Sequence, residues 1–507
     1  MNQESVMVRD QVNRMFQQLA ESQGNLVTYR AGQRISIPWP EVRVDVRRAC
    51  NYLGQQGLVA GDHVAIQAQN GYEWVVFDLA TLACGLVTVP LDPAAAYPVA
   101  EFRERYDIRF WLTDVPEADG ELTRPLGEML DADPVGVDWT AHVYAPDDPV
   151  SFKFTSGSTS GPKAMRALKK SVDAALTHVQ GLFHHGPGDT IIVFLPMSTY
   201  QMRLWLYSAV VYEHDLLLVP RSLVFYALET EAPTVLMGVP YIYEAIQKMA
   251  LTAVEDPQDA AAVREEVQRI LGGNIRYLWT GSAPISRDLL LFFNANGAPI
   301  YQGYGMNEIC IATKNYPGHD RPGSAGKALP GKEIAFDAHG QILVRSEHEV
   351  ANAYFRARPE DDAATFIKPK WVATGDIGHL DADGYLYITG RIKDLIVLSN
   401  AAKVHPNLVE KTLLNAPEIR QCMVYGDRKP YLVALIVPTD PAATREAIGE
   451  VIRAANRELR PHDRVLRFAL VREAFTEEAG LLTSSNKLRR KPIIQLYQEN
   501  LEALYEQ

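Results

Sequence analysis

The chain has 507 residues, 47% hydrophobic and 22% charged, which is long and apolar enough for roughly three domain-sized units with large cores. Its 50 Lys and Arg against 62 Asp and Glu give a formal charge of -12, which argues against nucleic acid as the main partner and leaves room for a local basic phosphate site. Cys50, Cys84, Cys310 and Cys422 stand far apart with no Cys-x-x-Cys pair, so reduced thiols in a cytoplasmic protein are expected and a zinc site finds no support.

Met1 to Ser5 lack a basic region followed by an apolar core, so no signal peptide is expected. Val42 to Leu53 places apolar residues on one helical face and stops at Gly54; Val64 to Ile66 is a short strand; Tyr72 to Ala83 is helical again; Leu86 to Val89 is the next strand. Trp74 to Leu91 is the most apolar long stretch, but Asp78 interrupts it and Gly85 and Pro90 break it, so it reads as a buried helix running into a buried strand and no membrane span is expected. Val150 to Phe154 alternates as a strand, and Ala164 to Val179 is helix-like. Apolar runs at Thr190 to Leu195, Leu216 to Val219, Thr234 to Gly238 and Ile275 to Trp279 suit strands covered by helices on both sides. Near Pro330 the pattern changes to short strands at Ile334 to Phe336, Gln341 to Val344 and Gly384 to Thr389, which suggests a β-rich subdomain. A last segment of mixed helices and strands begins near Ile392 to Asp394.

Between the Val150 strand and the Ala164 helix, Thr155 to Lys163 (TSGSTSGPK) offers glycines, hydroxyls and one ammonium without a large side chain. Backbone N–H groups, hydroxyls and the Lys163 charge can wrap an oligophosphate at a strand-to-helix turn. The spacing is not that of a Walker A loop, and a flexible Gly/Ser linker has the same composition. Thr280 to Pro284 (TGSAP) follows a buried strand and presents backbone to a flat partner such as a purine, or is simply a tight strand exit. Tyr301 to Glu308 (YQGYGMNE) crowds two glycines, aromatic faces and one carboxylate into a loop. Glu308 is either solvated surface or, beside a triphosphate, a ligand for Mg2+, which takes one or two carboxylates and fills its shell with water and phosphate oxygens. Asp376, in the turn Thr374 to Asp376, can accept from two ribose hydroxyls, and Arg391 brings a bidentate donor to the boundary segment Gly390 to Asp394; a plain turn and a charged linker are the alternatives.

In this order the pieces resemble the adenylate-forming superfamily of acyl-CoA synthetases, peptide-synthetase adenylation domains and luciferases, from about Val27 to the C-terminus. Arg321 to Gly331 (RPGSAGKALPG), Gly390 to Asn400 (GRIKDLIVLSN), Leu482 to Arg490 (LTSSNKLRR) and Arg203 resemble the bacterial long-chain acyl-CoA synthetase branch. The resemblance implies an α/β fold: a large N-terminal adenylation domain over residues 1–392, made of α/β layers with a β-rich subdomain, and a small mobile α+β lid over residues 393–507. It implies that Thr155, Ser156, Gly157, Ser158, Thr159, Gly161 and Lys163 hold the β- and γ-phosphates, and that Glu308 binds Mg2+ with Gly305 and Asn307 beside it. Ser282, Ala283 and Pro284 would face adenine, Tyr304 would stack on it, and Asp376 and Arg391 would hold the ribose. Lys487 would be the catalytic lysine, bridging the substrate carboxylate and the α-phosphate, and Asp394 the hinge. Thr199, Tyr200, Arg203, Val239 and Gly303 would line the substrate pocket.

Three positions depart from the pattern. Asn307 replaces the usual Thr before the metal-binding Glu, Thr199 with Tyr200 replaces the usual His or aromatic of the pocket segment, and Ala401 replaces a Gly beside the pantetheine channel, where a methyl group restricts φ. The chain is also compact between Tyr97 and Asp148. The implied activity is ATP-dependent activation of a lipophilic carboxylic acid, fatty or polycyclic, with ATP, Mg2+ and CoA as reactants. An acyl-AMP ligase serving an acyl carrier protein is the alternative, and a non-catalytic nucleotide- or lipid-binding descendant is a third reading.

Overall fold

Val64, Ala65 and Ile66 are fully buried, as are Leu216, Leu217 and Leu218, because each run lies in a parallel sheet with no water-facing side. The computed structural model describes residues 7–30, 32–115, 122–133, 140–155, 163–281, 283, 285–482 and 488–506. These form two compact units. One comprises Met1–Gly281, Arg287–Ile334 and Val344–Ala373; the other comprises Ser282–Ser286, Ala335–Leu343 and Thr374–Gln507.

The first unit holds two sheets. A nine-stranded sheet runs Lys327–Ala328, Cys310–Lys314, Ile300–Met306, Tyr277–Thr280, Val235–Met237, Thr190–Val193, Asp215–Leu218, Asn25–Arg30 and Gln33–Pro38. From Ile300–Met306 to Asn25–Arg30 the neighbours are parallel, and antiparallel strands close both edges. A six-stranded sheet runs Arg124–Pro125, Ile108–Thr113, His63–Gln67, Val87–Leu91, Pro149–Phe154 and Ala164–Leu168. One apolar core joins Val64 and Ile66 of this sheet to Ile191 and Leu216 of the other, through Trp74 of helix Tyr72–Ala83 and Trp205 of helix Tyr200–Tyr212. Helix Tyr72–Ala83 followed by strand Val87–Leu91 is the expected reading of the apolar stretch. Among the described residues no helix is long and apolar enough to cross a membrane.

In the second unit the strand Leu432–Pro438 lies between antiparallel Ile419–Tyr425 and parallel Val465–Leu470. Its alternation feeds two cores: Leu432, Ala434 and Ile436 pack with Val409 and Leu413 of helix Pro406–Leu414, while Val433, Leu435 and Val437 pack with Ile493 and Leu501 near the C-terminus. A four-stranded sheet has the order Lys332–Phe336, Gln341–Ser346, Trp371–Leu380 and Leu386–Arg391.

Three local expectations need correction. Ala164–Leu168 is a strand and the helix begins only at Lys169; Ala, Met, Arg and Leu favour helix, but Ala164, Met165 and Ala167 are buried in register with Pro149–Phe154, and tertiary burial prevails. Tyr301 to Glu308 is the first strand and turn of a hairpin, not a loop. Thr374 to Asp376 lies inside the strand Trp371–Leu380.

Candidate active site

The glycine-rich segment connects two antiparallel strands. Phe154 stands opposite Ala164, and Thr155 N donates to Lys163 O at 2.8 Å, so a β pairing holds the ends of the segment. Ser156, Gly157, Ser158, Thr159 and Gly161 lie outside the described residues. Lys163 Nζ pairs with Asp361 Oδ1 at 2.8 Å and lies 5.0 Å from the Tyr354 ring centroid. Its hydrogen bond holds the Asp361 carboxyl below the usual range.

Beside it stands the hairpin of Ile300–Met306 and Cys310–Lys314. A Cβ on Gly305 would lie 2.0 Å from Cys310 O, and one on Gly303 would lie 2.7 Å from Lys314 Cδ, so close strand approach explains both glycines. The turn carries Asn307 and Glu308. Asn307 Nδ2 donates to Phe154 O at 2.8 Å and thereby ties the turn to the strand that enters the glycine-rich segment. The amide donor that stands where the family pattern has a Thr hydroxyl is thus engaged with backbone. Glu308 is only 5% exposed, not solvated surface, and its Oε1 accepts from Tyr354 OH at 2.7 Å. Burial, reinforced by Glu308, raises the Tyr354 pKa. Tyr304 is buried in the same hairpin.

Lys314 locks the hairpin from below: its Nζ donates to Tyr301 O at 2.6 Å and Thr280 O at 3.2 Å and sits 3.3 Å from the Trp279 ring centroid. Tyr354, Asp361 and Lys314 have no motif in the sequence. Lys314 carries one signal, a lysine among apolar strand residues; Tyr354 and Asp361 carry none, because their approach depends on the path of the chain.

Of the expected pocket residues, Thr199 is exposed, Val239 half-buried, and Tyr200 and Gly303 buried. Arg203 is fully buried and braces the interior instead of facing an open pocket. Its Nη2 pairs with Asp78 Oδ1 at 2.5 Å and donates to Tyr207 OH at 3.0 Å, Tyr207 OH donates to Asp78 Oδ2 at 2.7 Å, and Nη1 donates to Ser151 Oγ. Asp78, the residue that interrupts the apolar stretch, is thus fully paired.

Within the second unit Asp376 and Arg391 are cross-strand partners, joined Oδ1 to Nε at 2.8 Å, with Asp376 buried and Arg391 exposed. Ala283 is half-buried, and its neighbours Ser282 and Pro284 lie outside the described residues, as does Lys487. Arg490 grips Glu410 in a bidentate pair at 2.5 and 2.9 Å, and Glu410 also accepts from Val424 N. Asp394 ends the short 3-10 turn Ile392–Asp394, in the field of that pair. Ala401 adopts φ of +65° in a turn where Ala401 N donates to Leu398 O at 2.9 Å, so alanine takes the conformation glycine would favour. An Ala401→Gly protein is expected to be more stable by about 1 kcal/mol in urea denaturation.

The family model described as AMP-binding enzyme matches residues 16–355, which include Lys163, Glu308 and Tyr354. The chain belongs to the AMP-binding enzyme family. The C-terminal domain model of the same family matches residues 393–507, and the Asp376–Arg391 pair falls between the two matches. Among individual AMP-binding proteins, the chain is 27% identical to a long-chain-fatty-acid–CoA ligase of Mycobacterium bovis, over 92% of this chain and 91% of that one. It is 24% identical to long-chain-fatty-acid–CoA ligase 4 of Saccharomyces cerevisiae, over 92% and 78%. Its fold matches ATP-bound MatB from Rhodopseudomonas palustris with a TM-score of 0.81 at 21% identity, covering 98% and 100%. It also matches the o-succinylbenzoate coenzyme A synthetase of Bacillus subtilis in complex with AMP, with a TM-score of 0.78 at 22% identity, covering 94% and 97%.

Proposed function

We propose that this AMP-binding enzyme activates a lipophilic carboxylic acid with ATP to acyl-AMP and pyrophosphate, then transfers the acyl group to the thiol of CoA. The observation that carries this reading is the tie between Asn307 and Phe154, which fixes a buried carboxylate, Glu308, beside the entry to a glycine- and hydroxyl-rich segment ending in Lys163. Relatives named as long-chain-fatty-acid–CoA ligases, aligned over most of the chain, support it.

Glu308 suits Mg2+ because one buried carboxylate oriented by Tyr354 leaves the remaining positions to phosphate oxygens and water; among the described residues no group of three or more His, Cys, Asp and Glu competes for a metal. Bound there, Mg2+ supplies charge neutralisation at the phosphates. Thr155 and Lys163, with the segment between them, receive the β- and γ-phosphates. Tyr304, Gly305 and residues 282–284 receive the base, and Asp376 with Arg391 the ribose. Lys487 draws the substrate carboxylate to the α-phosphate, since two anions otherwise repel. Residues 1–392 act as the adenylation domain and 393–507 as the mobile lid hinged at Asp394. Four cysteines without a disulfide favour a reducing compartment, and we assign the enzyme to the cytoplasm.

Asp376→Ala is expected to raise the KM for ATP by about 10-fold or more, the effect of losing a charge-assisted hydrogen bond, read in a pyrophosphate-release titration. The reaction itself is tested by mass spectrometry with ATP, Mg2+ and a panel of fatty, aryl and terpenoid acids, with and without CoA. Acyl-CoA with little free acyl-AMP supports the ligase. Acyl-AMP accumulating in the presence of CoA indicates that Ala401 redirects thiol transfer, with a carrier-protein thiol as the acceptor; no adduct with any acid contradicts the reading.

A further inference from the structure

The segment 354–366 touches both of the charged side chains assigned above to ATP, Glu308 and Lys163. At its start Tyr354 OH donates to Glu308 Oε1 at 2.7 Å, and the Lys163 ammonium lies 5.0 Å from the centroid of the same ring. Further along, the short helix Pro359–Thr365 brings Asp361 Oδ1 to 2.8 Å from Lys163 Nζ. Among the described residues this carboxylate is the one hydrogen-bond acceptor that the ammonium reaches. The segment folds back on itself between these contacts: Asp362 Oδ1 accepts from Tyr354 N at 2.7 Å, and Phe366 packs edge-on against Tyr354 with ring centroids 5.2 Å apart.

A role in stability alone does not account for the Lys163–Asp361 pair. No residue of the helix is buried, and the two side chains of the pair are 31% and 24% exposed, so the bridge adds little to the fold. The first turn of the helix also holds three carboxylates, Glu360, Asp361 and Asp362, beside a lysine that serves phosphate. Each of them repels a triphosphate. Whichever of its three protons Lys163 gives to phosphate, a carboxylate 2.8 Å away cancels part of the charge it brings. Exchange is easy for the carboxylate, because Arg358 Nε stands 3.4 Å from Asp361 Oδ2 and remains with it when Lys163 leaves.

We infer that Asp361 competes with the β- and γ-phosphates of ATP for Lys163, and so sets how tightly the enzyme holds ATP and how readily it gives up pyrophosphate. This deepens the ligase reading above and rests on it. Asp361 is a positioning residue: it acts on the phosphates through Lys163 and touches none of the reacting atoms. Pyrophosphate is the same pair of phosphates after acyl-AMP has formed, so removing the competition tightens both ligands together. AMP presents neither phosphate and is unaffected.

Titration calorimetry with MgATP, magnesium pyrophosphate and AMP on wild type, Asp361→Asn and Glu360→Gln tests this. Asparagine keeps the shape of the side chain and an acceptor oxygen, and removes the charge. Glu360 belongs to the same acidic turn but pairs with Arg358, at 3.6 Å, so Glu360→Gln reports the general field of the turn. Asp361→Asn should bind MgATP and pyrophosphate about 2- to 5-fold more tightly than wild type, the range of one partly exposed ion pair, and AMP equally well. Glu360→Gln should match wild type with all three. Unchanged AMP binding also shows that the Asp361 variant folds. An unchanged or weaker affinity of Asp361→Asn for MgATP, or equal tightening in both variants, overturns the proposal and leaves the ligase reading standing. Tightening specific to Asp361→Asn in a protein that forms no adduct with any acid keeps the competition and removes the ligase reading; binding of none of the three ligands by wild type removes both.

Discussion

Lys487→Ala is expected to lower acyl-AMP formation by about 100- to 1,000-fold, the effect of removing one preorganised group that stabilises transition-state charge. The expectation follows from simple electrostatics. The chain carries a net charge of -12, and the reaction brings a carboxylate against a polyphosphate. Without a cation at the point of attack the two repel. Single-turnover measurement of acyl-AMP separates this step from thioester formation. The folded state should be unaffected, because the anchor of the following segment is the Arg490–Glu410 pair, and Lys487→Ala leaves it intact. A variant that retains full adenylation assigns the role of Lys487 to another group.

The second large effect falls on stability. Arg203→Met is expected to destabilise the first unit by about 3–5 kcal/mol, because it leaves the Asp78 carboxylate buried without its cation. Tyr207 still donates to Asp78, but a phenol does not neutralise a charge in a region where both side chains are fully buried. Ser151 on the strand Pro149–Phe154 loses a donor as well. Urea denaturation measures the loss. The double variant Arg203→Met with Asp78→Leu removes both charges and is expected to recover much of it, which distinguishes the ion pair from simple packing. Equal stability of the two variants contradicts this account.

The layers of the first unit are legible in the sequence because their signals are local. Helix Tyr72–Ala83 has the bounds its periodicity gives, and Val64 to Ile66 and Leu216 to Leu218 read as buried strands because nothing in them tolerates water. The strand Ala164–Leu168 is not legible: its residues prefer helix, and only burial against a sheet formed by distant segments makes it extended. The hairpin at Ile300–Met306 is hidden for a related reason. Its glycines suggest a loop, whereas they serve the close approach of Cys310 and Lys314.

At the candidate site the motif residues stand out by type, and their partners do not. Glu308 is visible as a carboxylate in a glycine-rich stretch; that Tyr354 orients it depends on a contact 46 positions along the chain. Asn307 is visible as a departure, but its bond to Phe154 spans 153 positions and has no local trace. Lys153 reads as one polar residue in an alternating strand. That no ion-pair partner reaches it among the described residues, with Glu308 acting only at a distance, is a property of the fold alone.

The central claim is tested most directly with a carboxylic acid labelled with 18O in its carboxyl group, incubated with the protein, ATP, Mg2+ and CoA, with mass analysis of the nucleotide and of the phosphates. Attack of the carboxylate on the α-phosphorus forms the acyl-AMP, and cleavage of its acyl–oxygen bond by the thiol leaves one labelled oxygen on AMP. The account predicts 18O in AMP and none in pyrophosphate or inorganic phosphate. Label in inorganic phosphate with ADP as the nucleotide product, or thioester formation with unlabelled AMP, contradicts it.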